Sequence, residues 1–216
     1  MVTYWVKTPQ WIKKFFPERM IWDIPVDSEP AVYITFDDGP HPVATPFVLE
    51  QLEKYNASAT FFCVGNNISL YPEIFANTLA KGHRVGNHTH DHINGWKTTS
   101  SRYIKNIERA DKYIHSNLFR PPYGRMKYSQ IRKIRKKHPS WSIYMWDILS
   151  ADFDKAITPQ ECLQNVLANI CPGTIIVFHD SDKAYERMKY ALPEVLEYCR
   201  KQNWRMKALP NGNSKS

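Results

Sequence analysis

Two hydrophobic periods alternate along this chain. Short runs of β-branched and aromatic residues, bounded by Gly, Pro and Asn, predict strands at 32–36, 59–63, 83–86, 118–120, 141–147, 174–179 and 204–208. Between them, longer segments with helical spacing predict helices at about 44–55, 68–81, 99–116, 128–137, 159–170 and 185–201. Thr158-Pro159 reads as an N-cap followed by proline at the first helical position, with Glu161 in the first turn, while Lys81-Gly82 and Asn56 read as helix stops. Strands alternating with helices predict a parallel sheet or (β/α) barrel. In such barrels the chemistry sits at the C-terminal strand ends, where Asp37, Asp38, His88, Arg120, Asp152 and His179 fall.

A chain of 216 residues, 43% hydrophobic and 23% charged, makes one or at most two globular domains. It contains no apolar stretch long enough to cross a membrane as a helix. Lys7, Lys13 and Lys14 interrupt every apolar run near the start, so the sequence as it stands predicts a cytoplasmic protein, or an envelope or periplasmic one if a leader precedes it. The net charge of +8 favours anionic partners. Its densest basic run, Arg132 to Lys137, reads as the solvated face of a helix whose Ile131 and Ile134 point inward. No nucleic-acid module accompanies the charge, so an acidic glycan or a peripheral envelope contact is the expected attraction and nucleic acid is not.

Cys63, Cys162, Cys171 and Cys199 form no metal-binding spacing and read as free thiols. Residues 1–30 carry Trp5, Trp11, Phe15, Phe16, Ile21 and Trp22; they are expected to pack on the barrel, over its open seam, with an interfacial helix as the alternative. Pro9 and Pro17 favour packing. Residues 31–209 form the expected main domain, and 210–216 a flexible polar tail. A monomer is expected.

Candidate chemistry concentrates in two runs. Thr35-Phe36-Asp37-Asp38-Gly39-Pro40 ends a strand in two adjacent carboxylates, whose side chains point to opposite sides while the strand continues. One can bind a metal while the other addresses an attacking water. His88-Thr89-His90-Asp91-His92 places two imidazoles four apart, the spacing of one face of a helical turn. Two histidines and a carboxylate make a three-ligand site with positions left open, as in a hydrolytic metalloenzyme. His90 and Asp91 would point away from the ligands, and His41 would either line the cleft or be structural.

These runs, with Arg120-Pro121-Pro122-Tyr123-Gly124 and Val177-Phe178-His179-Asp180 following in order, resemble the motifs of the polysaccharide deacetylase family, the NodB-homology domains of carbohydrate esterase family 4. A fourth stretch, Leu149-Ser150-Ala151-Asp152-Phe153, departs from that family's pattern, which has an acidic residue where Leu149 stands and Trp where Phe153 stands. The resemblance spans about residues 31–209 and implies an irregular, seven-stranded (β/α) barrel.

It also implies roles. Asp38, His88 and His92 would hold one divalent metal, zinc first, with cobalt or nickel as substitutes. Asp37 would act as base, held ionised by Arg120, and the backbone N–H of Tyr123 would receive the oxyanion. His179 would be the acid, its pKa raised by Asp152. Val177 would line an acetyl pocket, and Phe153 would offer a stacking face to a sugar ring. The implied activity is removal of acetyl groups from N-acetylglucosamine units of a peptidoglycan or chitin-type glycan. The alternatives are an O-acetyl esterase acting on acetylated xylan and a non-catalytic carbohydrate-binding barrel.

Overall fold

A computed structural model describes residues 4–15, 20–26 and 28–211. Phe16, Pro17 and most of the expected tail, residues 212–216, lie outside the described residues. Among those described, nine strands form a curled parallel sheet. They are Met20–Ile21 (β1), Ala31–Asp37 (β2), Thr60–Cys63 (β3), Arg84–Asn87 (β4), Leu118–Phe119 (β5), Ser142–Tyr144 (β6), Ile148–Leu149 (β7), Ile175–His179 (β8) and Arg205–Met206 (β9). The order across the sheet is β1-β6-β5-β4-β3-β2-β8-β7, with β9 added against β2. This is the irregular (β/α) barrel expected from the sequence, with two short strands that periodicity did not resolve. The predicted strand 141–147 stops at Tyr144, and β7 begins at Ile148 on the far side of the seam. Two residues are too few to show alternation by themselves; β5 and β9 are as short but lie within the predicted runs 118–120 and 204–208.

Eight helices flank the sheet among the described residues: Gln10–Lys14 (α1), Ala44–Lys54 (α2), Gly65–Leu70 (α3), Pro72–Ala80 (α4), Ser100–Asp111 (α5), Tyr128–Lys137 (α6), Pro159–Leu167 (α7) and Tyr185–Lys201 (α8). The single helix expected at 68–81 is broken into α3 and α4. Pro72 lacks an N–H, and Tyr71 before it adopts φ −131°, ψ 57°, outside the helical region. α7 starts as expected, with a reciprocal capping box between Thr158 and Glu161. Asn56 and Gly82 stop their helices at positive φ, 49° and 79°.

Strand alternation divides the core. Val32, Ile34 and Phe36 of β2 and Ile176 and Phe178 of β8 face α2 and α8 and form the main hydrophobic cluster. The residues between them, Thr35, Asp37 and His179, face the barrel interior, and Asp37 pairs in register with His179. Ile131 and Ile134 of α6 are buried as expected, and all four cysteines are free.

The segment before β2 packs on the barrel. Lys7 forms an antiparallel bridge with Ile148, β1 pairs with β6, and Asp23 bridges Thr174. The described parts of this segment, residues 4–15 and 20–24, therefore touch β6 on one side of the open sheet and β7 on the other, and cover the seam between them. α1 spans only five residues, so the interfacial-helix alternative has little helix to use.

Candidate metal centre and acid–base site

Asp37 and Asp38 diverge because the strand ends between them. Asp37 closes β2 with its side chain inside the barrel, 3% exposed. Asp38 adopts φ 84°, a left-handed conformation that turns its carboxylate toward the strand-end loops. Three bonds pin that turn: Asn67 Nδ2 donates to Asp38 O at 2.7 Å, Val64 N–H to Gly39 O at 2.9 Å, and Gly39 N–H to Asp180 Oδ1 at 3.0 Å. A Cβ on Gly39 would lie 2.0 Å from Asp180 Oδ2, so this approach needs glycine.

The two histidines meet Asp38, but not on a helix. Residues 88–94 form a loop after β4, with Thr89 and His92 at φ 65° and 50°. The helical-turn reading of the spacing is corrected accordingly. Asn87 and Asn106 bind this backbone: Thr89 N–H donates to Asn87 Oδ1, and the His90 and Asp91 N–H groups donate to Asn106 Oδ1. Those bonds satisfy in a loop the donors that a helix would satisfy internally. His88 Nε2 lies 3.8 Å and His92 Nε2 3.1 Å from Asp38 Oδ1. One ligand atom from each of Asp38, His88 and His92 falls within 4.8 Å of the others.

The donor set fits a divalent cation. Asp38 Oδ1 is buried and makes no hydrogen bond of acceptable geometry. His88 Nδ1 sits 2.8 Å from Arg120 O, which can only accept, so the proton lies on Nδ1 and Nε2 offers its lone pair to the cluster. Burial lowers the His88 pKa to about 4, keeping the imidazole neutral. Burial alone would raise the Asp38 pKa, but the neighbouring His92, His179 and His88 hold it well below the usual carboxylate range. His90 lies outside the cluster and stacks on Tyr113 at 6.0 Å. Asp91 pairs with Arg109 at 2.9 Å. His41 is structural, its Nδ1 accepting the Val43 and Ala44 N–H groups that open α2.

On one side of the cluster, fully buried Arg120 donates from Nη1 to Asp37 Oδ1 at 2.7 Å and to Thr35 Oγ1 at 2.7 Å. It also donates from Nη2 to Met145 O at 2.9 Å and rests over the Phe62 ring at 4.1 Å. On the other side, Asp152 is fully buried and accepts the His179 N–H at 2.7 Å, with its second oxygen 2.7 Å from His179 Nδ1. Burial pulls the His179 pKa down, but Asp152, with the charges of Asp38 and Asp37, outweighs it and raises the value to about 9. Asp180 is pushed up to about 8 by burial, against the bonds from Thr45 and Gly39.

Tyr123, at φ 61° and 56% exposed, sets its ring 4.7 Å from His92. Phe153 meets His179 edge-on at 5.2 Å. Val177 lies fully buried in register with Thr35 and Leu149, beneath the layer that holds His179. A cleft of about 370 Å³ opens beside the cluster, lined by Asp38, Val64, Asn66, Asn67, Asp91 and His92. A larger one, about 510 Å³, lies between the N-terminal segment and Tyr144, Pro210 and Asn211. It contains none of the candidate residues, whereas the smaller cleft is lined by Asp38 and His92.

Asn67, Asn106 and Thr45 support the site without having been singled out in the sequence, and Asp180, at the end of the run Val177 to Asp180, carries no role there. Asn106 did leave a signal: it is a polar residue on the buried stripe of α5, beside Tyr103, Ile107 and Ala110. Asp180 directly follows His179.

Relatives share this frame. A family model described as polysaccharide deacetylase matches residues 25–140. A peptidoglycan-N-acetylglucosamine deacetylase of Bacillus cereus is 30% identical over 190 residues, 85% of this chain and 88% of the relative. A chitooligosaccharide deacetylase of Azorhizobium caulinodans is 34% identical over 163 residues, 71% of this chain and 75% of the relative. The crystal structure of the Bc1960 peptidoglycan N-acetylglucosamine deacetylase superposes with a TM-score of 0.85 at 27% identity, covering 97% of this chain and 98% of that one. By the span of that match and by identity along most of its length, this chain belongs to the polysaccharide deacetylase family.

Proposed function

We propose that the protein removes acetyl groups from N-acetylglucosamine units of a peptidoglycan or chitin-type glycan, with a water molecule as nucleophile. The observation that carries this reading is the flanking of one Asp-His-His cluster by a buried Asp37–Arg120 pair and a His179–Asp152 pair, all at one end of the barrel. The names of the two curated relatives favour an N-acetyl glycan substrate. Asp38, His88 and His92 would hold a divalent cation, zinc by the chemistry of two imidazoles and one carboxylate. When bound, it supplies Lewis-acid polarisation of the acetyl carbonyl and lowers the pKa of water.

The chain's own residues do the rest. Asp37 takes the proton of the attacking water, and Arg120 fixes its carboxylate in place. The backbone N–H of Tyr123 is the proposed donor to the oxyanion. His179 gives its proton to the departing amine nitrogen, and Asp152 keeps the ring oriented and charged. Phe153 and Tyr123 present aromatic edges to the sugar on the two sides of the site.

The test is acetate release from N-acetylglucosamine oligomers and from acetylated xylan, after chelation and after metal is added back. Release from the oligomers that depends on metal is expected; release from xylan alone would overturn the substrate assignment. Metal analysis should find about one divalent ion per chain, and His88→Ala should lose it. Retention of the ion in His88→Ala, or its loss in His90→Ala alone, would contradict the ligand set.

Asp152→Asn tests the acid. A carboxylate stabilises imidazolium and its neutral amide does not, so the His179 pKa should fall from about 9 toward the ordinary histidine value. Because the acid must be protonated, the alkaline limb of the pH–rate profile should move to lower pH. An unchanged limb would mean that Asp152 does not tune His179.

A further inference from the structure

The N-terminal segment reaches the candidate acid from outside the region matched by the family model. Residues 4–8 run along β7. Leu149 N–H donates to Val6 O at 2.8 Å, Thr8 N–H donates to Asp147 O at 2.8 Å, and Thr8 Oγ1 donates to Trp146 O at 2.9 Å. Lys7 and Lys13 both pair with Asp147, whose carboxylate is nearly buried. Charge and backbone together therefore fix the segment and seat Tyr4 against the turn that follows β7.

Two contacts define that seat. The Tyr4 ring meets Phe153 edge-on, centroids 5.5 Å apart at 66°. The Tyr4 hydroxyl donates to Asp154 Oδ2 at 2.8 Å. Phe153 in turn meets His179, and Asp152 binds both its backbone N–H and its Nδ1. Three consecutive residues thus link Tyr4 to His179: Asp152 grips the ring, Phe153 buttresses it, and Asp154 is tied to Tyr4.

The turn needs such restraint. Ala151, just before it, sits at φ 62°, a conformation that a non-glycine residue keeps only where its surroundings hold it. From α8, Arg187 Nε donates to Asp152 O at 2.6 Å. Tyr4 acts on Phe153 and Asp154, the two residues that follow.

We propose that Tyr4 is a positioning residue for His179, clamping the Asp152–Phe153–Asp154 turn by ring and hydroxyl, so that the N-terminal segment is a working part of the site. The proposal rests on His179 being the proton donor of the deacetylation proposed above. Burial and the Asp154 carboxylate push the Tyr4 phenol up to about 12, so it remains a donor across the neutral range. Loosening the turn should blur the placement of the acid without disturbing the Asp-His-His cluster.

The experiment compares the full chain with its Tyr4→Ala and Tyr4→Phe variants. On N-acetylglucosamine oligomers, Tyr4→Ala should lower kcat about tenfold, since small misplacements of catalytic groups are costly. Bound metal should stay within about twofold of the unchanged protein, and the loss should fall mainly on kcat, as for a change in a group acting on the transition state. Tyr4→Phe keeps the ring contact and should lose less. A second readout needs no turnover: the His179 ring resonance in metal-free protein should titrate at a lower midpoint in Tyr4→Ala. Wild-type kcat in Tyr4→Ala, or a loss that falls on KM or metal content instead, would overturn the clamp. If the unchanged protein releases no acetate, the deacetylase reading fails, and the His179 midpoint alone decides: an unshifted midpoint overturns the clamp. Should Tyr4→Ala not fold, Tyr4→Phe decides by the same readouts with a smaller expected change.

Discussion

Asp37→Asn should keep its metal ion yet lose kcat by about a hundredfold or more, the usual order for removing a general base. Asp38→Asn should instead lose affinity for the ion. The asymmetry follows from the strand end. Asp37 Oδ1 is engaged by Arg120 at 2.7 Å inside the barrel, whereas Asp38 Oδ1 is buried, lacks a hydrogen bond and faces both imidazoles. In Asp37→Asn the side-chain amide would fill the space of the carboxylate but could not accept the water's proton. Metal content after dialysis, measured beside kcat for both variants, checks this. Equal metal deficits would sink the division of labour between the two aspartates.

Arg120→Ala should destabilise the fold by about 3–5 kcal/mol, the cost of removing one partner from a buried ion pair. Arg120 is fully buried, Asp37 is 3% exposed, and the guanidinium also bonds Thr35 Oγ1, Tyr144 O and Met145 O. Without it, a buried carboxylate loses its counter-charge and two main-chain carbonyls lose their donor. Arg120→Lys should recover only part of the loss, because one ammonium cannot span contacts that a planar fork reaches at once. Urea unfolding of both variants measures the effect. A loss below about 1 kcal/mol in Arg120→Ala would fit a solvated pair and contradict the buried one.

The charged contacts of the N-terminal segment show how sequence and structure divide the work. Lys7 and Lys13 read along the chain only as breaks in an apolar run, yet both pair with Asp147 across the barrel seam. Nothing local pairs residues 134 to 140 positions apart. Likewise, Tyr4 gives no local sign that its ring meets Phe153.

What the sequence by itself determined was local or periodic. Alternation at two residues and at helical spacing yields most strands and helices, because each element must bury one face. Thr158-Pro159 with Glu161 yields a helix start through bonds three residues apart. The adjacent carboxylates at the end of β2 and the motif order named the metal and acid–base candidates. The tertiary structure alone decided how those candidates meet. His88 and His92 converge from a loop held by Asn87 and Asn106 rather than from a helical turn. Asp38 is aimed by Asn67, Val64 and Asp180, and the two-residue strands β1 and β7 exist only as partners of distant segments. The reason is one of range: propensity and periodicity act over a few residues, while hydrogen bonds and burial between remote segments form only when the sheet has curled and brought them together.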